Sequence, residues 1–173
     1  MTTLSARYRL PEVTHGWFDI AEVDDAGAAA GELFRRSFRG APPDFPRHYV
    51  ARVALDGTSR TIGYVHMTPT DGIYLCGGMC MDERVYRRLA AGRRATLKAI
   101  GGIAEQMLRY VFADCSDGRA IFGYVGDRRA ERVDLRAGFR HTGYKHLIVY
   151  WPRPLPESEQ RTLIEKAAAI GPF

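Results

Sequence analysis

The sequence predicts an α+β fold, a mainly antiparallel twisted sheet of about six to seven strands with helices on both faces. Three observations predict it. The runs HYVARVAL, TIGYVHMTP and IYLCGGMCM alternate in polarity and are separated by Asp56-Gly57 and Asp71-Gly72, and Asp-Gly between such runs is a strong hairpin signal. Leu97, Ile100, Ile103, Ala104, Met107, Leu108 and Val111 recur at helical spacing. Strand-like and helix-like segments then alternate as far as residue 151.

Each element has a local reason. WFDIAEV, residues 17–23, alternates well enough for a first strand. Asp24 and Asp25 offer an N-cap to AGAAAGELFRRSFRG, in which Leu33, Phe34 and Phe38 would face inward and Gly40 would stop the helix. GAPPDFPRH is too rich in proline for regular structure and reads as a surface loop. The meander follows over residues 48–81, and Gly77-Gly78 in its last strand suggests a bulge or a close approach to the backbone. A long helix then runs past Val111, with Lys98, Glu105 and Arg109 outside and Gly101-Gly102 in its middle. Two such glycines cost about 1 kcal/mol each relative to alanine, which close packing on a sheet would explain. AIFGYVG, 120–126, reads as a short buried strand. DRRAERVDLRAGF, 127–139, is a helix opened by Asp127 and closed at Gly138, and HLIVYW, 146–151, is a last strand. ESEQRTLIEKAAAI forms a terminal helix, a structural extension from about residue 155.

Residues 1–173 are expected to form a single domain. No apolar run approaches the roughly 20 residues that span a membrane, and MTTLSARYRLPEV lacks the apolar stretch of a secretory signal. Three cysteines, Cys76, Cys80 and Cys115, are an odd number in such a chain, so a reduced, cytoplasmic protein is expected. Cys76 and Cys80 would point to one face of a regular strand about 13 Å apart, too far to share a metal, and no metal site is expected. A net charge of +5 makes an acidic partner plausible, either nucleic acid or a ligand bearing several phosphates.

Placement of the charge is informative. In YRRLAAGRRA, residues 86–95, Arg87, Arg88, Arg93 and Arg94 surround Leu89, Ala90, Ala91 and Gly92. A turn opening a helix leaves about four backbone N–H groups unpartnered, and the helix dipole favours an anion there. Small residues let a pyrophosphate approach, provided Ala90 keeps a negative φ, and the arginines would neutralise it. The same arginines also fit a solvated helix face.

A meander, this turn, a helix, a strand, and a short helix ending in Gly-Phe together resemble the GNAT superfamily of CoA-dependent N-acyltransferases, over roughly residues 17–151. Two stretches carry the resemblance. Arg87-Arg88-Leu89-Ala90-Ala91-Gly92 matches the family's CoA loop at its first and last positions, with Ala90 in place of the first glycine. Asp127-Arg-Arg-Ala130 with Gly138-Phe139 matches the family's Asn-x-x-Ala and Gly-Phe, with Asp127 replacing the Asn and Asp134 standing where the family has a tyrosine. The resemblance implies a GNAT-like sheet and transfer of an acetyl or other acyl group from acetyl-CoA or another acyl-CoA to an amine. It implies cofactor contacts at Met79, Cys80 or Met81, whose main-chain N–H would serve the thioester carbonyl, at residues 87–93, and at Asp127 and Ala130. It also implies homodimers.

Catalytic groups are harder to name. Acyl transfer to an amine needs a base, an oxyanion donor and an acid for the leaving thiolate. IYLCGGMCM carries no charge, and Asp82 and Glu83 lie nearer the expected phosphates. An Asp at 134 would donate a proton only if burial raised its pKa, and the alternative is an exposed helix residue. Tyr124 is a possible substitute, although an aromatic in a buried strand also reads as core, and His66 could reach a central cleft, although a lone strand histidine also reads as structural. Phe45, His48, His141 and Tyr144 are expected on the acceptor side, which suits a small amine, an amino acid, a peptide or an antibiotic. Two other classes remain open: a GNAT-like CoA sensor that has lost efficient catalysis, and, ranked last, a nucleic-acid-directed protein using Arg84 to Arg94 and Arg128 to Arg140.

Overall fold

A computed structural model describes residues 8–44 and 46–173. Strand β1 (Phe18–Val23) leads to helix α1 (Ala26–Phe38), and the meander consists of β2 (Arg47–Leu55), β3 (Thr58–Thr70) and β4 (Ile73–Met81). Helices α2 (Glu83–Arg88), α3 (Ala91–Ala99) and α4 (Ile103–Asp114) follow. The chain closes with β5 (Ile121–Tyr124), α5 (Arg128–Ala137), β6 (Arg140–His141), β7 (Leu147–Tyr150) and α6 (Glu157–Ile170). The strands form one sheet in the order β1-β2-β3-β4-β5-β7-β6. Every neighbouring pair is antiparallel except β4 and β5.

The local signals act as expected. Asp56 and Gly57 have φ of 51° and 73°, and Asp71 and Gly72 have 44° and 78°, the double left-handed conformation that matches strand twist in a tight hairpin. The Asp25 side chain accepts from the Ala28 N–H to cap α1, and Asp127 accepts from Arg129 and Ala130 to cap α5. Helices α3, α4 and α5 cover one face around Leu97, Met107, Leu108, Ala137 and Phe139. On the other face, α1 packs on Val50, Tyr64 and Cys80, while Leu163 and Ala167 of α6 pack on Leu75, Phe122 and Val149. Among the described residues, no helix is long and apolar enough to cross a membrane.

Four expectations are corrected. The long helix is broken: Gly101 and Gly102 take φ of 98° and 94°, outside the helical region, and separate α3 from α4. Glu105 is buried, and Phe38 is 47% exposed. Cys76 and Cys80 face opposite sides of the sheet, because β4 carries an extra residue. Tyr64 pairs with Cys80 and His66 with Gly77, so Gly78 and Met79 stand opposite a single β3 residue. Such a bulge reverses the side-chain alternation beyond it.

Candidate active-site cleft

The parallel pairing of β4 and β5 extends only over Tyr74–Ile121, Leu75–Phe122 and Cys76–Gly123. Beyond Cys76 the bulge, with Gly78 at φ 62°, turns β4 away. A cavity of 340 Å³ opens in the splay. Gly77, Gly78 and Met79 line its β4 side, Tyr124 its β5 side, and Ala130 and Asp134 of α5 complete it. Another side of α5, through Val133 and Arg136, borders a second cavity of 610 Å³ with Met81, Asp82, Lys98 and the residues that open α4. Helix α5 thus borders both cavities, with Ala130 and Asp134 towards one and Val133 and Arg136 towards the other.

The second cavity has a built N-terminus. Gly102 caps α4 without any side-chain hydrogen bond, which leaves the N–H groups of Ile103, Ala104 and Glu105 outside the intrahelical ladder. A 12-residue helix focuses positive potential there, and Lys98 and Arg136 add cationic groups to the lining. The Glu105 carboxylate already lies at this end, accepting from Arg109 at 2.9 Å and from Nε of Arg136 at 3.0 Å. Burial pushes the Glu105 carboxyl up, but the hydrogen bonds from both arginines outweigh it and hold the group below the usual glutamate value.

The arginine-rich stretch lies elsewhere. Arg87 and Arg88 end α2, and Leu89 is buried in the core. Ala90 precedes α3 with φ −55°, so its backbone is unstrained. Arg88 pairs with Asp56, and Arg94 donates to the carbonyls of Arg87 and Leu89. Arg93 donates to the Ala54 carbonyl at 2.5 Å and stacks over Trp17. Arg88 borders a cavity shared with α1, and none of residues 87–93, Ala91 and Gly92 included, lines either cavity along α5. The segment that does open a helix into the cleft, Gly101-Gly102-Ile103-Ala104, escaped the sequence reading. Its signal was the glycine pair, whose cost inside a helix marks a break when the apolar period runs on at either side.

The remaining expected residues divide. Met79 lines the smaller cavity and Met81 the larger, whereas Cys80 packs against α1. Asp127 and Ala130 border the smaller cavity, although the Asp127 carboxylate is engaged as the α5 cap. Asp82 caps α2 and pairs with Arg36. Tyr124 is 38% exposed at the cavity mouth, between His146 and Phe173. Asp134 is half-buried in the same cavity; desolvation, helped by Glu131, pushes its carboxyl up to about 6. The neighbouring Cys76 thiol is pushed up by burial and then by the Asp134 charge, so the thiol stays protonated and unreactive. On the expected acceptor side, His48 is buried while His141 and Tyr144 are exposed; Phe45 lies outside the described residues.

No family model and no curated protein matches the sequence. Solved structures do match the fold. The ribosomal-protein-S18-alanine N-acetyltransferase from Escherichia coli superposes with a TM-score of 0.52 at 10% identity, covering 81% of this chain and 97% of its own. The aminoglycoside 6′-N-acetyltransferase from Enterococcus faecium gives 0.53 at 9% identity, with 80% and 99% covered. An aminoglycoside 6′-N-acetyltransferase complexed with coenzyme A gives 0.53 at 11%, again with 80% and 99% covered. The chain has a GNAT-like fold.

Proposed function

We propose that this protein is an N-acyltransferase that moves an acetyl or other acyl group from acyl-CoA to an amine. The observation that carries the reading is the splay of β4 from β5, which opens one cavity, with a second cavity farther along α5 at the N-terminus of α4. An elongated ligand with a thioester at one end and phosphates farther along fits that order of environments. The phosphates would lie on the N–H groups of Ile103 and Ala104, beside Lys98 and Arg136. This assignment replaces residues 87–93, where the Arg88 side chain pairs with Asp56 and the Arg93 side chain with the Ala54 carbonyl.

In this reading the thioester sits between the bulge and α5. The main chain at Met79, within the bulge, would stabilise the oxyanion. Asp134 would protonate the leaving thiolate, since a carboxyl with a pKa of about 6 retains a protonated fraction near neutral pH where an ordinary aspartate does not. Tyr124, at the mouth, would contact the acceptor. Phe38 and Phe173 flank the same opening, which favours an acceptor with an apolar or aromatic portion beside its amine.

Mixing the protein with acetyl-CoA and a panel of spermidine, lysine, kanamycin and short peptides tests the reading. Thiol release coupled to an acetylated product in mass spectra is the expected outcome. Acetyl-CoA binding without turnover of any amine would favour the sensing alternative, and absence of binding would remove both.

A further inference from the structure

Three polar side chains form a chain on the α1 face of the sheet that the acyl-transfer reading leaves unused. His48 on β2 and His66 on β3 are register partners. The Tyr64 hydroxyl lies between their rings, 2.8 Å from Nδ1 of His48 and 3.3 Å from Nδ1 of His66. His48 and Tyr64 are buried, and His66 is half-buried at the open end.

That open end faces the bulge. A Cβ built on Gly77 would fall 2.8 Å from Nε2 of His66, and one on Gly78 would fall 2.5 Å from its Cε1. The glycine pair leaves room for the imidazole, which takes the space two side chains would fill. Both glycines line the cavity assigned to the thioester, and Phe34 of α1 lies beside the ring, 6.4 Å between centroids.

Hydrogen-bond arithmetic orders the protons. Tyr64 has one proton and two nitrogen partners, so it donates to one and accepts from the other. The 2.8 Å contact matches an O–H donor and the 3.3 Å contact a longer N–H donor. Of the two orders that satisfy this arithmetic, the one these distances favour has Tyr64 donating to His48 and His66 donating through Nδ1, which leaves Nε2 of His66 bare towards the bulge.

Building on the acyl-transfer reading, we propose that His66 is the general base: an acceptor amine docking at the Gly77–Gly78 bulge gives its proton to Nε2 of His66, and Tyr64 relays the charge to His48. As the amine nitrogen bonds to the thioester carbon it becomes cationic and acidic. Nε2 takes that proton, Nδ1 of His66 passes its own to the Tyr64 oxygen, and the Tyr64 proton moves to Nδ1 of His48. The C–S bond then breaks, the thiolate takes the Asp134 proton, and His48 and Asp134 re-equilibrate with solvent. Burial lowers the pKa of both histidines, His66 to about 4, so each is neutral and able to accept at pH 7. Glu22 on β1 is the carboxylate that favours charge on His48. Facing Tyr64, Cys80 remains a thiol because burial raises its pKa.

Heavy-nitrogen histidine labelling and NMR between about pH 6 and 8 test the proton order, alongside acetyl-CoA titration and thiol release with the amine panel. The expected spectrum shows His66 neutral, protonated at Nδ1 and bare at Nε2. Kinetics should show His66→Asn and Tyr64→Phe each reducing kcat about 100-fold, with acetyl-CoA affinity unchanged. His66 protonated at Nε2 would overturn the proposal, as would Tyr64→Phe with full turnover. If neither wild type nor variants bind acetyl-CoA, the acyl-transfer reading fails, and the tautomer result still reports separately on the relay.

Discussion

The Glu105 carboxylate is folded against Gly101, so close that a Cβ at position 101 would fall 2.5 Å from its Oε2. One carboxylate thus occupies the entrance to α4 while holding Arg109 and Arg136. An incoming phosphate would meet those cations already positioned, beside a negative group that can shift as Arg136 turns to the ligand.

Gly101→Ala combines this clash with a φ of 98° that side chains rarely adopt. It should lower stability by about 1–3 kcal/mol, read from the midpoint of denaturant unfolding. An unchanged midpoint would mean that the α3–α4 break is soft.

Glu105 has a depressed folded pKa, so the stability it supplies is present above its unfolded value of about 4.3 and is lost as pH falls through the lower folded value. Glu105→Gln should therefore flatten that acid limb in thermal melts. Because the substitution also removes a negative charge from the phosphate end, acetyl-CoA should bind the variant more tightly at low salt. Weaker binding would show that the carboxylate organises the arginines rather than competing with the ligand.

Asp134 behaves in the opposite sense. Its folded pKa of about 6 lies above the unfolded value of about 3.9, so its contribution to stability is full below the unfolded value and declines as pH rises to about 6. Asp134→Asn should remove that decline and gain relative stability at pH 7. In kinetics, the wild type should show a limb in kcat near pH 6 that the Asn variant lacks, with kcat reduced. A stabilised variant with undiminished kcat would leave Asp134 no part in the chemistry.

Gly77→Ala, whose Cβ meets Nε2 of His66, should destabilise the fold and reduce turnover. A double-mutant cycle with His66→Ala isolates the contact, since removing the ring should relieve most of the stability cost. Additive costs would show that the clash is with something else.

What the sequence revealed divides along the range of the interactions involved. Asp56-Gly57, the Asp25 and Asp127 caps and the Gly138 stop depend on a few consecutive residues, and all were legible. The α3–α4 break was hidden because Leu97 and Ile103 both pack on one sheet face, so the apolar period continues across it. The arginines of residues 87–94 looked like an unpaired anion site because the partners of Arg88 and Arg93 are remote in sequence: Asp56 in the β2–β3 turn, the Ala54 carbonyl and Trp17. Gly77-Gly78 announced a close approach, but the imidazole that makes it comes from β3. Asp134 was identified from the family position alone, while the burial that raises its pKa needed the fold.

The most direct measurement is calorimetric titration of acetyl-CoA into the wild type, Ala104→Glu, and the double variant Arg87→Glu with Gly92→Asp. Ala104 lines the larger cavity at the start of α4, where glutamate is compatible with a helix but opposes a phosphate. A cofactor site at the start of α4 requires that the wild type and the double variant bind and that Ala104→Glu does not. Binding retained by Ala104→Glu and lost from the double variant would contradict it and return the cofactor site to the arginine-rich stretch.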